Sequence, residues 1–219
     1  MGHARIQERP LALLEEGTIS FHYRPRVEEQ APEELGDVQR LLAVLAPDDG
    51  SRFRLLAIGR KVLRERFWGF VDAVLHDRRD MEALLAAQTY GTKTLGLRHL
   101  PAARPLGSGS YFLGRHDDHT HLDYTLRHVV QDDPVAREIA LPPSASYIVT
   151  IANPDPGAWG LVEAPPLQQV LFGEEEVHIT LPTPFPAPLQ SQFRGRRYAQ
   201  LDRAEWLDHP GAELVFIEG

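Results

Sequence analysis

The sequence predicts an α+β protein built mainly from antiparallel β-hairpins, with one or two short helices and long Pro/Gly-rich loops. Three observations carry that prediction. Ile19, Phe21 and Tyr23 alternate with Thr18, Ser20 and His22, the period of a half-buried strand. Pro47-Asp48-Asp49-Gly50 separates two apolar runs, and Asp and Gly tolerate the backbone angles of a tight reversal. Eighteen prolines and seventeen glycines among 219 residues cut the chain into pieces too short for long helices.

In chain order, the first strand is expected over Gly17 to Tyr23 and ends at Pro25. Val38 to Leu45 and Arg52 to Ile58 form a hairpin about the Asp-Asp-Gly turn. Phe67 to Leu75 reads as strand or helix, and its aromatics and Val71 favour strand. A helix follows, with Asp77 or Asp80 as N-cap, Met81, Leu84 and Leu85 on one face and Gly91 beyond its end. Residues 92 to 109 are expected to be a long ordered loop, with Gly107-Ser108-Gly109 a flexible entry into a second hairpin of Ser110 to His116 and His119 to His128. A strand at Ser146 to Ala152 closes at Asn153-Pro154. Asp155 to Pro188 is expected to wrap the core as loops with one strand at Val177 to Leu181. A helical turn near Leu189 to Phe193 and a last strand, Glu213 to Ile217, complete the chain. No linker or fixed-period repeat divides these elements, so one domain over 1–219 is the simplest organisation, and solenoids and propellers are disfavoured.

Composition narrows the chemistry. With no cysteine, disulfides, thiolate metal sites and cysteine nucleophiles are excluded. The N-terminal stretch lacks the apolar run of a secretory leader, and Phe67 to Leu75 is far shorter than the roughly twenty residues of a spanning helix. A soluble, cytoplasmic protein without membrane contact is therefore expected. Net charge is -8, from 31 acids against 23 bases, which works against phosphate-backbone binding. Local basic groups at Arg24 and Arg26, at Arg60, Lys61, Arg64 and Arg66, and at Arg194, Arg196 and Arg197 are better explained by stems covering apolar surface. Nucleic acid is a disfavoured partner; an anionic small molecule, a protein, or a second copy of the chain remain open.

The residues most suited to chemistry are histidines. If Asp117 and Asp118 are the loop of the second hairpin, His116 and His119 are its first cross-strand pair, and His121 joins them on the same face. Phe112, Gly114, Asp123 and Thr125 share that face, while Tyr111, Leu113, Leu122, Tyr124 and Leu126 point to the core. Three imidazoles with Asp123 as fourth donor or orienting group are a ligand set for a divalent metal such as zinc. The same spacing also suits three separately solvated rings. His119 and His121 are likewise the candidate catalytic residues. No nucleophile elbow, Walker loop or dinucleotide fingerprint is present.

Known histidine motifs match in part. His119-Thr120-His121-Leu122-Asp123-Tyr124 resembles the H-x-H-x-D-H motif of metallo-β-lactamases, with Tyr124 where the last histidine belongs, which removes a ligand. His178-Ile179-Thr180-Leu181 resembles one of the paired H-x-T motifs of 2H phosphoesterases, but the second of the pair is missing.

Several stretches, among them Tyr23-Arg24-Pro25-Arg26-Val27, Asp37-Val38-Gln39-Arg40, His99-Leu100-Pro101-Ala102-Ala103-Arg104-Pro105, Asp118-His119-Thr120-His121-Leu122 and Phe193-Arg194-Gly195-Arg196-Arg197, together resemble an uncharacterised family of bacterial proteins. The resemblance runs over nearly the whole chain and implies a bacterial, non-exported, single-domain protein. It implies no activity. Lys93, Arg98, His99 and Arg104, which stand before the histidine hairpin, suit an anionic ligand, since arginine forks match carboxylate or phosphate; an ion-pair network with the chain's acids is the alternative. The expected function is a binding or adaptor protein using this basic stretch and the hairpin face. The alternative is a histidine-centred hydrolase, metal-dependent or phosphoesterase-like, with Lys93 or Arg98 stabilising developing charge.

Overall fold

A computed structural model of the chain describes residues 12–63, 66–93, 96–159 and 185–218. Its strands are β1 (Ala12–Pro25), β2 (Val38–Pro47), β3 (Phe53–Leu63), β4 (Arg66–Leu75), β5 (Gln88–Thr92), β6 (Gly96–Leu100), β7 (Arg104–Arg115), β8 (Thr120–Val129), β9 (Ser144–Ala152), β10 (Tyr198–Gln200) and β11 (Glu213–Glu218). Helices are short: α1 (Arg78–Leu85), α2 (Pro134–Ile139) and α3 (Ala187–Gln190).

The α+β expectation is overturned, because the strands close on themselves. The main sheet runs β9-β11-β4-β3-β2-β1-β7-β8, and β8 pairs back onto β9 from His121↔Ile148 to Thr125↔Ser144, making an eight-stranded antiparallel barrel. β10 extends the same edge of β9 beyond β8, with Tyr198 opposite Ala152. Closure removes the exposed sheet edges that separate hairpins would leave.

Alternation decides which side chains fill the lumen. Ile19, Phe21 and Tyr23 of β1, Ala43 and Leu45 of β2, and Leu122, Tyr124 and Leu126 of β8 are buried in one cluster inside the barrel. The opposite faces of β2, β3 and β4 present Leu42, Val44, Leu55 and Phe70, which α1 covers with Met81. Asp77 caps α1 by accepting from Arg79 N at 2.8 Å. At the other end of α1, the buried Arg24 guanidinium donates to the carbonyls of Leu84 and Pro101, each at 2.7 Å, so this arginine is a structural cap and no part of a basic surface.

The two ends of the barrel differ. Below, at the tips of the β2–β3 and β7–β8 hairpins, the fully buried Trp206 packs edge-on against Phe185 and Phe193. Above it, the inward Arg54, 1 % exposed, is paired with Glu15 at 2.6 Å and Asp208 at 2.7 Å. Arg52 also pairs with Asp208. Tyr111 donates to Glu15 at 2.7 Å, and burial, with that carboxylate beside it, pushes its phenol up. The opposite end is closed in part by α2. There Tyr23 donates to Asp133 at 2.7 Å, and burial, reinforced by that bond, pushes its phenol up to about 12.

Several elements fall where expected. The β2–β3 turn is held by Gly50 N donating to Pro47 O at 3.0 Å, with Gly50 at φ 65°. Phe67 to Leu75 is strand, and the last strand and the turn before it are in place. The long loop over 92 to 109 is not: β5 and β6 form a separate two-stranded sheet, and β7 begins at Arg104. Gly107-Ser108-Gly109 is strand, at a bulge where β8 passes too close for a side chain. The strand expected at Val177 to Leu181, with His178, lies outside the described residues, as do the side chains of Arg60, Lys61, Arg64 and Arg66.

Candidate metal centre

The β7–β8 reversal is built on Asp117 and Asp118. Its closing bond is His116 N donating to His119 O at 2.8 Å, and the ladder continues with Arg115↔Thr120 and Gly114↔His121. This register puts the three imidazoles on the outer face while Tyr111, Leu113, Leu122 and Tyr124 enter the core. Ring centroids are 4.9 Å apart for His116–His119, 5.4 Å for His116–His121 and 4.7 Å for His119–His121. One nitrogen from each ring lies within 4.8 Å of the other two, and all three residues are half-buried. Zinc bound by nitrogens at about 2.0–2.1 Å holds its ligands roughly 3.3 Å apart, a contraction that side-chain torsions can supply.

The hairpin tip is held from below. Thr120, fully buried, donates its hydroxyl to Leu201 O at 2.6 Å, and Gln200 Nε2 donates to His116 O at 3.1 Å. These contacts come from the last residue of β10 and the residue after it, so the tip is fixed to the sheet edge.

Neighbours also orient the rings. His119 donates Nδ1–H to Asp118 at 2.6 Å, which leaves Nε2 as the lone-pair nitrogen. Nδ1 of His121 lies 3.0 Å from Ser146 Oγ on β9, a contact that exists because the barrel closes through the β8–β9 ladder. A bond at one ring nitrogen that aims the other is the usual support of a histidine ligand. Partial burial, then the neighbouring His119, holds the His121 imidazole below its ordinary value, favouring the neutral form that metals require. The hydrogen bond from His119 in turn lowers the exposed Asp118 carboxyl.

Asp123 does not join the triad as a fourth donor: the close group contains the three histidines alone. It lies two residues from His121 on the same face, opposite Ser146. Its Oδ1 is buried and has no hydrogen-bond partner among the described residues. A buried carboxylate oxygen without a donor is costly.

The basic candidates lie elsewhere. Lys93 is exposed in the β5–β6 turn. Arg98 pairs with Glu28 at 3.4 Å, and His99 N donates to the same carboxylate at 2.8 Å. Arg104 donates to Gln30 O at 2.6 Å and lies 3.8 Å from Asp133. Arg104 opens β7 opposite Tyr23, whereas Arg115 closes it opposite Ala12. At about 3.3 Å per residue the two ends of that strand are roughly 35 Å apart. Lys93, Arg98, His99 and Arg104 thus share no site with the histidines, and Arg98 and Arg104 are engaged by acids.

Fold and site together define an eight-stranded antiparallel barrel carrying three histidines on the outer face of one hairpin tip. Compared with family models, with curated proteins and with solved structures, the chain finds no match.

Proposed function

We propose that the chain is a metal-binding protein that holds one zinc-type divalent ion through His116, His119 and His121, with the fourth position open to water or a small anionic ligand. The observation that carries this reading is the mutual approach of the three ring nitrogens within 4.8 Å. Two support it: local partners at Nδ1 of His119 and His121, and the unpartnered Asp123 Oδ1, which a metal-bound water would satisfy. Three nitrogen ligands and an open position are the arrangement of catalytic rather than structural zinc, and a bound ion supplies an acidified water there. Hydrolysis is the second reading, in which Asp123 would accept the proton of that water; Lys93 and Arg98, distant from the histidines, would not stabilise the developing charge. The phosphoesterase form rests on His178, outside the described residues, and is not carried further.

Location in a bacterial cytoplasm belongs to the same proposal, on the resemblance to non-exported bacterial proteins. Among the described residues no helix is long and apolar enough to cross a membrane. The lumen of the barrel is apolar, and the apolar outer face of β2, β3 and β4 is covered by α1.

Calorimetric titration of the metal-stripped protein with zinc tests the reading. One site per chain is expected, weakened at least tenfold in His119→Ala and in His121→Ala. Binding unchanged by both substitutions, or none at micromolar zinc, would refute it.

A further inference from the structure

We infer that the barrel lumen binds one compact apolar or amphiphilic molecule, admitted past α2 with its polar end at Glu138. The inference is independent of the metal centre, which lies on the outer face near the other end of the barrel.

The lumen holds a cavity of about 360 Å³, walled by Ile19, Phe21, Leu56, Phe67 and Phe216 among others. Protein interiors normally leave few voids larger than a water, whereas this space equals that of about a dozen liquid waters. The sequence keeps it open. Ala43 sits on the lumen wall between Phe21 of β1 and Leu56 of β3, where a larger side chain would project into the space. Water is a poor occupant of such walls. Besides Glu138 at the mouth, the polar side-chain groups of the lining are the hydroxyls of Tyr124, which donates to Pro142 O at 3.3 Å, and Tyr147.

The two ends of the cavity fix how a ligand enters and which end leads. Towards the histidine hairpin, Arg54, Glu15, Asp208 and Tyr111 form a bonded polar floor with Trp206 beneath it. The mouth is at α2, where the exposed Glu138 and the half-buried Ile139 line the cavity. Glu138 is held in place by accepting from Leu35 N at 2.8 Å. It is the charged residue of the lining, and it repels a carboxylate or phosphate head while accepting from a hydroxyl or an amine. Volume and charge together specify a neutral or amine-headed molecule of on the order of a dozen non-hydrogen atoms, such as a medium-chain alcohol or amine.

Fluorescence titration of the full chain with the neutral probe N-phenyl-1-naphthylamine, followed by displacement with decanol, decylamine and decanoate, tests this. We expect saturable binding of one probe per chain, with decanol and decylamine displacing it at least tenfold better than decanoate. Ala43→Phe, which fills the lumen, should weaken probe binding at least tenfold, and His119→Ala should leave it unchanged. Thermal unfolding reports whether Ala43→Phe folds; if it does not, Ile139→Trp at the mouth decides by the same loss. No saturable signal, or a signal unchanged in the folded lumen or mouth variant, would overturn the site. Equal displacement by decanoate would overturn the assignment of its head group.

Discussion

Replacing Arg54 by Met removes a cation buried at the barrel floor while keeping most of the side chain's length. Its guanidinium, 1 % exposed, bonds Glu15 on β1 and Asp208 on the turn that carries Trp206, so the substitution cuts the tie between wall and cap. Asp208 keeps Arg52. Glu15 is left with Tyr111 as its donor, a carboxylate in the lumen without a counter-charge. Removing one partner of a buried ion pair costs about 3–5 kcal/mol, which for a chain of this size lowers Tm by roughly 6–20 °C. Urea denaturation followed by tryptophan fluorescence reads the loss. The double variant Glu15→Gln with Arg54→Met separates charge from packing: it should recover at least about 1 kcal/mol relative to the sum of the single losses. A loss under about 1 kcal/mol for Arg54→Met, or an additive double variant, would show that the floor is not held by this pair.

Two further outcomes follow from local geometry and titration. A Cβ at Gly109 would lie 1.9 Å from Thr125 O and 2.6 Å from Leu126 Cα, both backbone, so Gly109→Ala must push β8 from β7; it should cost about 3 kcal/mol and 6–12 °C in Tm, and a variant as stable as the parent would contradict the bulged register. Burial first, and Arg24 second, hold the His22 imidazole below its ordinary value. The folded value thus lies under the unfolded one, and between them the unfolded chain binds more protons. Stability should be complete above about pH 6.5 and fall as pH drops through that value. His121, also lowered, adds in the same direction. His22→Gln should flatten the decline between pH 7 and 5.5 in denaturant titrations; an unchanged slope would remove His22 from the account.

The parts legible in the sequence are those specified by neighbours along the chain. The Asp-Asp-Gly turn and the Asp77 cap act over a few residues. The Asp117-Asp118 reversal does too, and the two-residue period of a strand then assigns the faces of His116, His119 and His121. Barrel closure is not written that way. It depends on β8 meeting β9 and on β11 entering between β9 and β4, pairings with no local signal, so correctly placed hairpins still summed to the wrong architecture. Gly109 misled because glycine marks both a flexible loop and a close approach of two backbones, and here it serves the second. The helix α2 had a readable start: Asp133 accepts from Ala136 N at 3.0 Å, and Pro134 occupies the first turn. Asp123 was placed on the correct face, but a shared face does not set distance, and its oxygens do not lie within 4.8 Å of all three ring nitrogens.

X-ray absorption at the zinc edge of the loaded protein tests the metal centre most directly. A four-coordinate ion with three imidazole nitrogens at about 2.0–2.1 Å and one further oxygen is expected. One imidazole should be lost from that shell in His121→Ala. A shell of oxygens without imidazole scattering, or one that His121→Ala leaves unaltered, would contradict the three-histidine centre.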